Sequence, residues 1–157
     1  MKDTISKILS MIGALFIVLK YAFKSPTTIR YPEIKRQPSS RFRGLHYLTK
    51  WEDGLDRCVG CELCAIVCPA QAIYVKPASN KPGDVHSHGE RYASDFQINM
   101  MRCIYCGYCE EACPTGAIVL SNEYELATYT REEMIFTKER LTEKYPGQSG
   151  RDPKREI

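Results

Sequence analysis

The chain of 157 residues carries 22 Lys and Arg against 19 Asp and Glu, a formal net charge of +3, together with eight cysteines. The charge is unevenly spread: residues 1–50 sum to +8, residues 51–120 to −4 and residues 121–157 to −1. The basic first third argues against a short, acidic, freely diffusing carrier, and the stretch 51–120, which holds every cysteine, is too short for a large apolar core without staples.

Residues 1–25 include ISKILSMIGALFIVLKYAF, apolar at Ile5, Ile8, Leu9, Ile12, Leu15, Phe16, Leu19 and Phe23. That spacing predicts an amphipathic helix. Only twelve residues separate Lys7 from Lys20, short of the roughly 20 that span a bilayer. The helix is therefore expected to lie at a membrane surface or against a partner's apolar face, with Lys7, Lys20 and Lys24 flanking it. A charged start before a short apolar run also suits a secretory leader, but no A-x-A cleavage motif follows. Residues 26–50, PTTIRYPEIKRQPSSRFRGLHYLTK, contain three prolines and a dense set of basic residues, and they read as an extended basic arm. Arg41, Arg43 and His46 are expected to meet acidic or polar groups of a partner subunit. No recognised nucleic-acid module surrounds them, so no nucleic-acid partner is expected.

The next stretch, CVGCELCAIVCP, places Cys58, Cys61 and Cys64 at x2 spacing, with Cys68 one residue further on and before Pro69. A chain looping around one corner of a 4Fe-4S cubane can supply three thiolates at that spacing, and the fourth must come from elsewhere. Pro69 biases Cys68 towards extended geometry, away from the loop of its neighbours. The same run recurs 45 residues later as CIYCGYCEEACP, with Cys103, Cys106, Cys109 and Cys113 before Pro114. In the bacterial two-cluster pattern the fourth cysteine of each run ligates the other cluster. Cys58, Cys61, Cys64 and Cys113 are thus assigned to one 4Fe-4S cluster, and Cys68, Cys103, Cys106 and Cys109 to the other. Structural zinc favours paired C-x2-C units with a long gap between them, which these runs do not follow. Disulfides are disfavoured because each run is too crowded for unstrained bridges.

Each run should continue as a short helix and then a short strand, AIYV (72–75) or AIVL (117–120), after the matching PAQAI and PTGAI. Val59, Ile66, Val67, Ile73, Ile104, Ala112 and Ile118 are expected to exclude water from the clusters. The repeats, about 51–76 and 96–120, are separated by a polar insertion, 77–95, in which His86 and His88 read as solvated residues of a contact loop. In residues 121–157, Thr130 and Glu133 form a plausible capping box for a helix to about Lys144, ended by Pro146 and Gly147 and followed by a charged tail.

These elements predict an α+β fold: a pseudo-symmetric ferredoxin-like core at 51–120 holding two 4Fe-4S clusters, with an N-terminal helix, a basic arm and a C-terminal helix and tail. Beyond the cysteines, the RxRG of RFRGLHYL, the ERY of the insertion and the run EEACPTGAIVLSNEYELA resemble the two-cluster ferredoxin subunit I family of respiratory complex I. KPGDVHSHG departs from that pattern. The resemblance implies a peripheral-arm electron relay of a membrane-bound NADH:quinone oxidoreductase, with no acid, base or nucleophile of its own. Its partners would be the neighbours that carry the upstream and terminal clusters, a membrane-domain subunit near the quinone site, and the membrane surface. Its place would be the cytoplasmic face of a bacterial inner membrane or an equivalent. A soluble two-cluster carrier and the corresponding subunit of a membrane-bound hydrogenase complex use the same cysteines and remain alternatives.

Overall fold

The computed structural model describes residues 2–142 and divides into two units, residues 1–37 and 38–157. The first is built on α1 (Lys2–Ala22). Its end follows from Pro26, which disfavours helical geometry in Ser25, the residue before it. From Met11 to Leu19 no residue is polar, so two and a half turns are apolar round the whole circumference. A helix of that kind needs an apolar environment on every side, yet within the chain Ile12, Leu15, Phe16 and Val18 are all exposed. With Lys7 and Lys20 counted inside it, Thr4–Ala22 is long and apolar enough to cross a membrane by length and composition. The stripe expected from the sequence is therefore wider than a single face.

The second unit contains, in order, β1 (His46–Leu48), α2 (Leu63–Ile66), β2 (Ile73–Ser79), β3 (Arg91–Asn99), α3 (Tyr108–Glu111), β4 (Ile118–Leu120), a 3-10 turn (Glu132–Met134), β5 (Ile135–Thr137) and α4 (Lys138–Thr142). β1 pairs antiparallel with β4, His46 opposite Leu120 and Leu48 opposite Ile118. β2, β3 and β5 form a second antiparallel sheet in that order. The core between these elements is made of Leu45, Leu48, Val75, Phe96, Ile98, Ile118, Leu120, Phe136 and Leu141, all buried.

Three expectations change. The basic arm does not run to residue 50: Gly44 N–H and Leu45 N–H donate to Ser121 O and Glu123 O, both at 2.8 Å, and the chain enters the core there. A Cβ on Gly44 would lie 2.1 Å from Glu123 O, so only glycine allows this approach. The insertion is not a loop throughout, because its ends continue β2 to Ser79 and start β3 at Arg91. Pro77 has no N–H for the ladder and sits where the register slips, between Lys76 opposite Asp95 and Pro77 opposite Ala93. The slip explains why the buried positions of β3 are 93, 96 and 98 rather than a strict alternation.

The third change is at the C-terminus. The helix expected from Thr130 to Lys144 is replaced by the 3-10 turn, β5 and the short α4. Phe136 pairs opposite Ile98 and is fully buried, so core burial overrides the local capping signal. The turn's cap position is Arg131, which makes no side-chain cap bond. Lys144, Pro146, Gly147 and the charged tail lie outside the described residues.

Candidate metal centre

The two cysteine runs have the same backbone. Each places left-handed residues at three equivalent positions: Gly60 and Tyr105, Glu62 and Gly107, Gln71 and Gly116, with φ between +48° and +85°. At each pair one repeat uses glycine and the other a residue with a side chain, so the conformation is set by the loop and not by glycine itself. Glu62 and Gly107 each precede a four-residue helix, α2 or α3, whose second residue is Cys64 or Cys109. Those two cysteines are buried and the other six are half-buried.

The fold gathers Cys58, Cys61, Cys64 and Cys113 around one cavity with Leu48, Val75, Phe96 and Ile118. Cys68, Cys103, Cys106 and Cys109 line another, with His46, Ile73 and Ile104. Among the described residues no three His, Cys, Asp or Glu side chains converge as a single metal ion requires; the sulfurs instead line the cavity walls.

Backbone N–H groups point at the sulfurs in matched pairs. Ala72 N–H donates to Cys68 Sγ at 3.3 Å and Ala117 N–H to Cys113 Sγ at 3.2 Å. Tyr105 N–H donates to Cys103 Sγ at 3.4 Å. Burial holds the Cys64 and Cys109 thiols up at about 12. Burial also raises Cys58 and Cys103, against the opposing pull of the Gly60 and Tyr105 backbone N–H groups. Thiols in such surroundings become thiolates when a positively charged core is there to receive them. An all-sulfur donor set, N–H bonds to sulfur and an apolar wall therefore fit a 4Fe-4S cluster in each cavity.

Of the residues expected to shield the clusters, Val59 and Ile118 line the first cavity and Ile73 and Ile104 the second. Ile66 is 75% exposed and lines neither cavity among the described residues, and Ile104, which lines the second, is 64% exposed. Arg43 pairs with this chain's own Glu111 at 3.4 Å. His46, expected at a partner contact, is instead 1% exposed beside the second cavity, with its Nε2 3.9 Å from Cys103 Sγ. Burial lowers its pKa to about 4. Its inward direction follows from the burial of both ends of β1, His46 and Leu48.

His86 and His88 do not share a ligand: His86 Nε2 lies 3.1 Å from Asp84 and His88 Nε2 2.8 Å from Asp53. The sequence reading did not single out Lys138. Its Nζ lies 2.7 Å from Asp56 Oδ2 and donates to Ala93 O at 2.7 Å. It thereby ties α4 to β3 and to the segment leading into Cys58. Asp56 and Lys138 are 82 residues apart, so the sequence carried no local signal of their contact.

Cysteine-lined cavities on a small α+β scaffold define an iron–sulfur electron-transfer protein, and residues 57–117 match the 4Fe-4S dicluster domain family. The NADH-quinone oxidoreductase subunit I of Protochlamydia amoebophila is 75% identical over 157 residues, covering both chains completely. Subunit 9 of the Thermus thermophilus enzyme is 52% identical over 126 residues, covering 80% of this chain and 69% of that one. The chain belongs to the NADH-quinone oxidoreductase subunit I family. Among solved structures, the archaeal membrane-bound sulfane sulfur reductase, a respiratory membrane complex, aligns with a TM-score of 0.50 and 33% identity. That match covers 74% of this chain and 55% of the other.

Proposed function

We propose that this chain passes single electrons through two 4Fe-4S clusters within a membrane-bound NADH:quinone oxidoreductase, towards quinone. The observation that carries the reading is the arrangement of the eight cysteines, in which each cavity receives three sulfurs from one run and one from the other. The clusters supply the one-electron chemistry. The protein positions them: cross-ligation ties both repeats to both centres, so their separation is held by the whole core.

Cys58, Cys61, Cys64 and Cys113 would hold one cluster and Cys68, Cys103, Cys106 and Cys109 the other. Leu48, Val75 and Phe96 keep water from the first, and the N–H bonds to sulfur favour the more negative, reduced state. Partners are other subunits of the complex, with neighbours carrying the upstream and terminal clusters on either side and a membrane-domain subunit near the quinone site. The exposed Ile66 and Ile104 suit such contacts. In α1, the twelve residues between Lys7 and Lys20 rise about 18 Å, less than the roughly 30 Å hydrocarbon core. We place the helix at the membrane surface or against an apolar partner face, surroundings that would cover the apolar circumference of Met11–Leu19 while its lysines reach the headgroups, although with those lysines counted Thr4–Ala22 is also long enough to cross. We place the chain on the cytoplasmic face, because a redox-labile iron–sulfur protein is expected to fold in a reducing compartment.

Two measurements test this. Solubilising membranes gently and sizing the assembly that contains this chain should give a large complex with NADH:quinone reductase activity; a small soluble brown protein would mean a diffusing carrier. Cys113→Ala should impair the cluster of Cys58, Cys61 and Cys64. Selective loss of the other cluster's EPR signal contradicts the cross-ligation.

A further inference from the structure

The two cysteine cavities are alike in backbone and unlike in what β1 presents to them. Its two inward side chains are two residues apart, and each lines a different cavity: Leu48 the one with Cys58 and His46 the one with Cys103. One cluster thus faces a hydrocarbon and the other an imidazole. His46 Nε2 lies 3.9 Å from Cys103 Sγ. Nδ1 is buried and has no hydrogen-bond partner among the described residues.

The placement of the ring proton follows from these two contacts. A ligating thiolate accepts hydrogen bonds and donates none. With the proton on Nδ1 alone, a buried N–H would go unpaired while the Nε2 lone pair faced the lone pairs of sulfur. With the proton on Nε2, sulfur gains a donor and only a lone pair is left unpaired at Nδ1. An unmet buried donor costs about 1–3 kcal/mol, so the second arrangement is favoured. The ring has little freedom to turn away, since it is 1% exposed and its centroid lies 5.7 Å from that of Tyr105, whose own N–H donates to the same sulfur.

We propose that His46 is a tuning residue for one cluster only: its Nε2–H donates to the Cys103 thiolate and raises the reduction potential of the centre held on the Cys103 side. A donor to a ligating sulfur withdraws negative charge, and the reduced cluster carries one more electron than the oxidised one, so the bond strengthens on reduction. The Cys58 side has a different feature, the Thr115 hydroxyl 3.6 Å from Cys113 Sγ, where the first repeat has Ala70. The relay would then be built from two cages of one design, each adjusted by a residue that the other lacks.

The inference rests on Cys103 holding a cluster but not on the identity of the electron donor or acceptor. Iron content and the number of EPR-active centres report that premise separately. The test is a potentiometric EPR titration of the intact solubilised assembly carrying His46→Phe, which keeps a ring and removes the donor, or His46→Gln, which keeps an N–H. In the Phe variant the reduced-to-oxidised ratio of one cluster at fixed ambient potential should fall several-fold while the other is unchanged. A tenfold fall corresponds to about 59 mV for a one-electron couple. The Gln variant should recover part of the shift. A second measurement uses the unmutated assembly labelled with 15N-histidine, in which pulsed EPR should find a 15N coupling and an exchangeable-deuteron coupling at one reduced cluster. Unchanged potentials with full iron content, equal shifts of both clusters, or the absence of a 15N coupling would each overturn the proposal. Should the Phe variant fail to assemble, the labelled unmutated protein decides alone.

Discussion

Gly60 and Gly107 occupy left-handed positions in the two cysteine loops, yet replacing them with alanine should have unequal effects. Both substitutions place a Cβ in the left-handed region, at a cost of roughly 1–2 kcal/mol. Their neighbours differ. A Cβ on Gly60 would lie 2.8 Å from Tyr92 O and 3.0 Å from Tyr92 C, backbone atoms of β3 that are held by the pairing with Ala78. Relieving that contact means moving a strand, which adds overpacking of about 1–3 kcal/mol. A Cβ on Gly107 would meet the Arg43 guanidinium, 2.7 Å from Nε. That side chain is 45% exposed and its ion pair with Glu111 is longer still at 3.4 Å, so it can swing aside for less than about 1 kcal/mol. Gly60→Ala should thus cost about 2–5 kcal/mol and Gly107→Ala about 1–3 kcal/mol. Glu62, exposed and left-handed at φ 63°, provides the opposite control, and Glu62→Gly should be neutral or stabilising by up to about 1 kcal/mol. The assay is the urea concentration at which half the iron–sulfur absorbance is lost from anaerobically prepared protein. A Gly60→Ala midpoint equal to or above that of Gly107→Ala would refute the steric reasoning.

Removing the iron should unfold much of the core, because metal binding energy is folding energy in so small a domain; circular dichroism after anaerobic chelation checks this, and an intact fold would contradict it. Burial holds the unligated Cys64 and Cys109 thiols up at about 12. Folded or unfolded, unligated thiols stay protonated at neutral pH, and loading iron must expel those protons. Proton release during reconstitution in a pH-stat should be measurable, and iron retention should fall as the pH is lowered. Asp56→Ala should cost about 2–3 kcal/mol, since Asp56 and Lys138 are only 12% and 17% exposed at their side chains; a urea midpoint unchanged from the parent would show that the Asp56–Lys138 pair does not contribute to holding α4. Deleting residues 1–25 should leave the cysteine core able to load iron while much less of the chain is recovered with the membrane assembly, as quantified by iron content and immunoblotting of membrane fractions.

The amino-acid sequence by itself determined the chemistry. Ligand spacing along a loop is a local property, so eight cysteines at repeated intervals identify a 4Fe-4S protein before any contact is known, and α1 is legible for the same reason. The strands beginning at Ile73 and Ile118 were also foreseeable from short apolar runs that follow matching turns. What the tertiary structure decided depends on partners distant in the chain. Whether His46 points outward or inward is settled by β4, some seventy residues away, which completes a sheet against it. Phe136 becomes a strand residue because Ile98 offers it a buried edge, although Thr130 and Glu133 form a local helix signal. Ile66 and Ile118 are equally apolar in sequence, but the fold exposes one and buries the other. Local spacing specifies what a centre can bind, whereas the surroundings of each sulfur arise only when remote segments pack together, because burial and hydrogen bonding belong to pairs of segments and not to either alone.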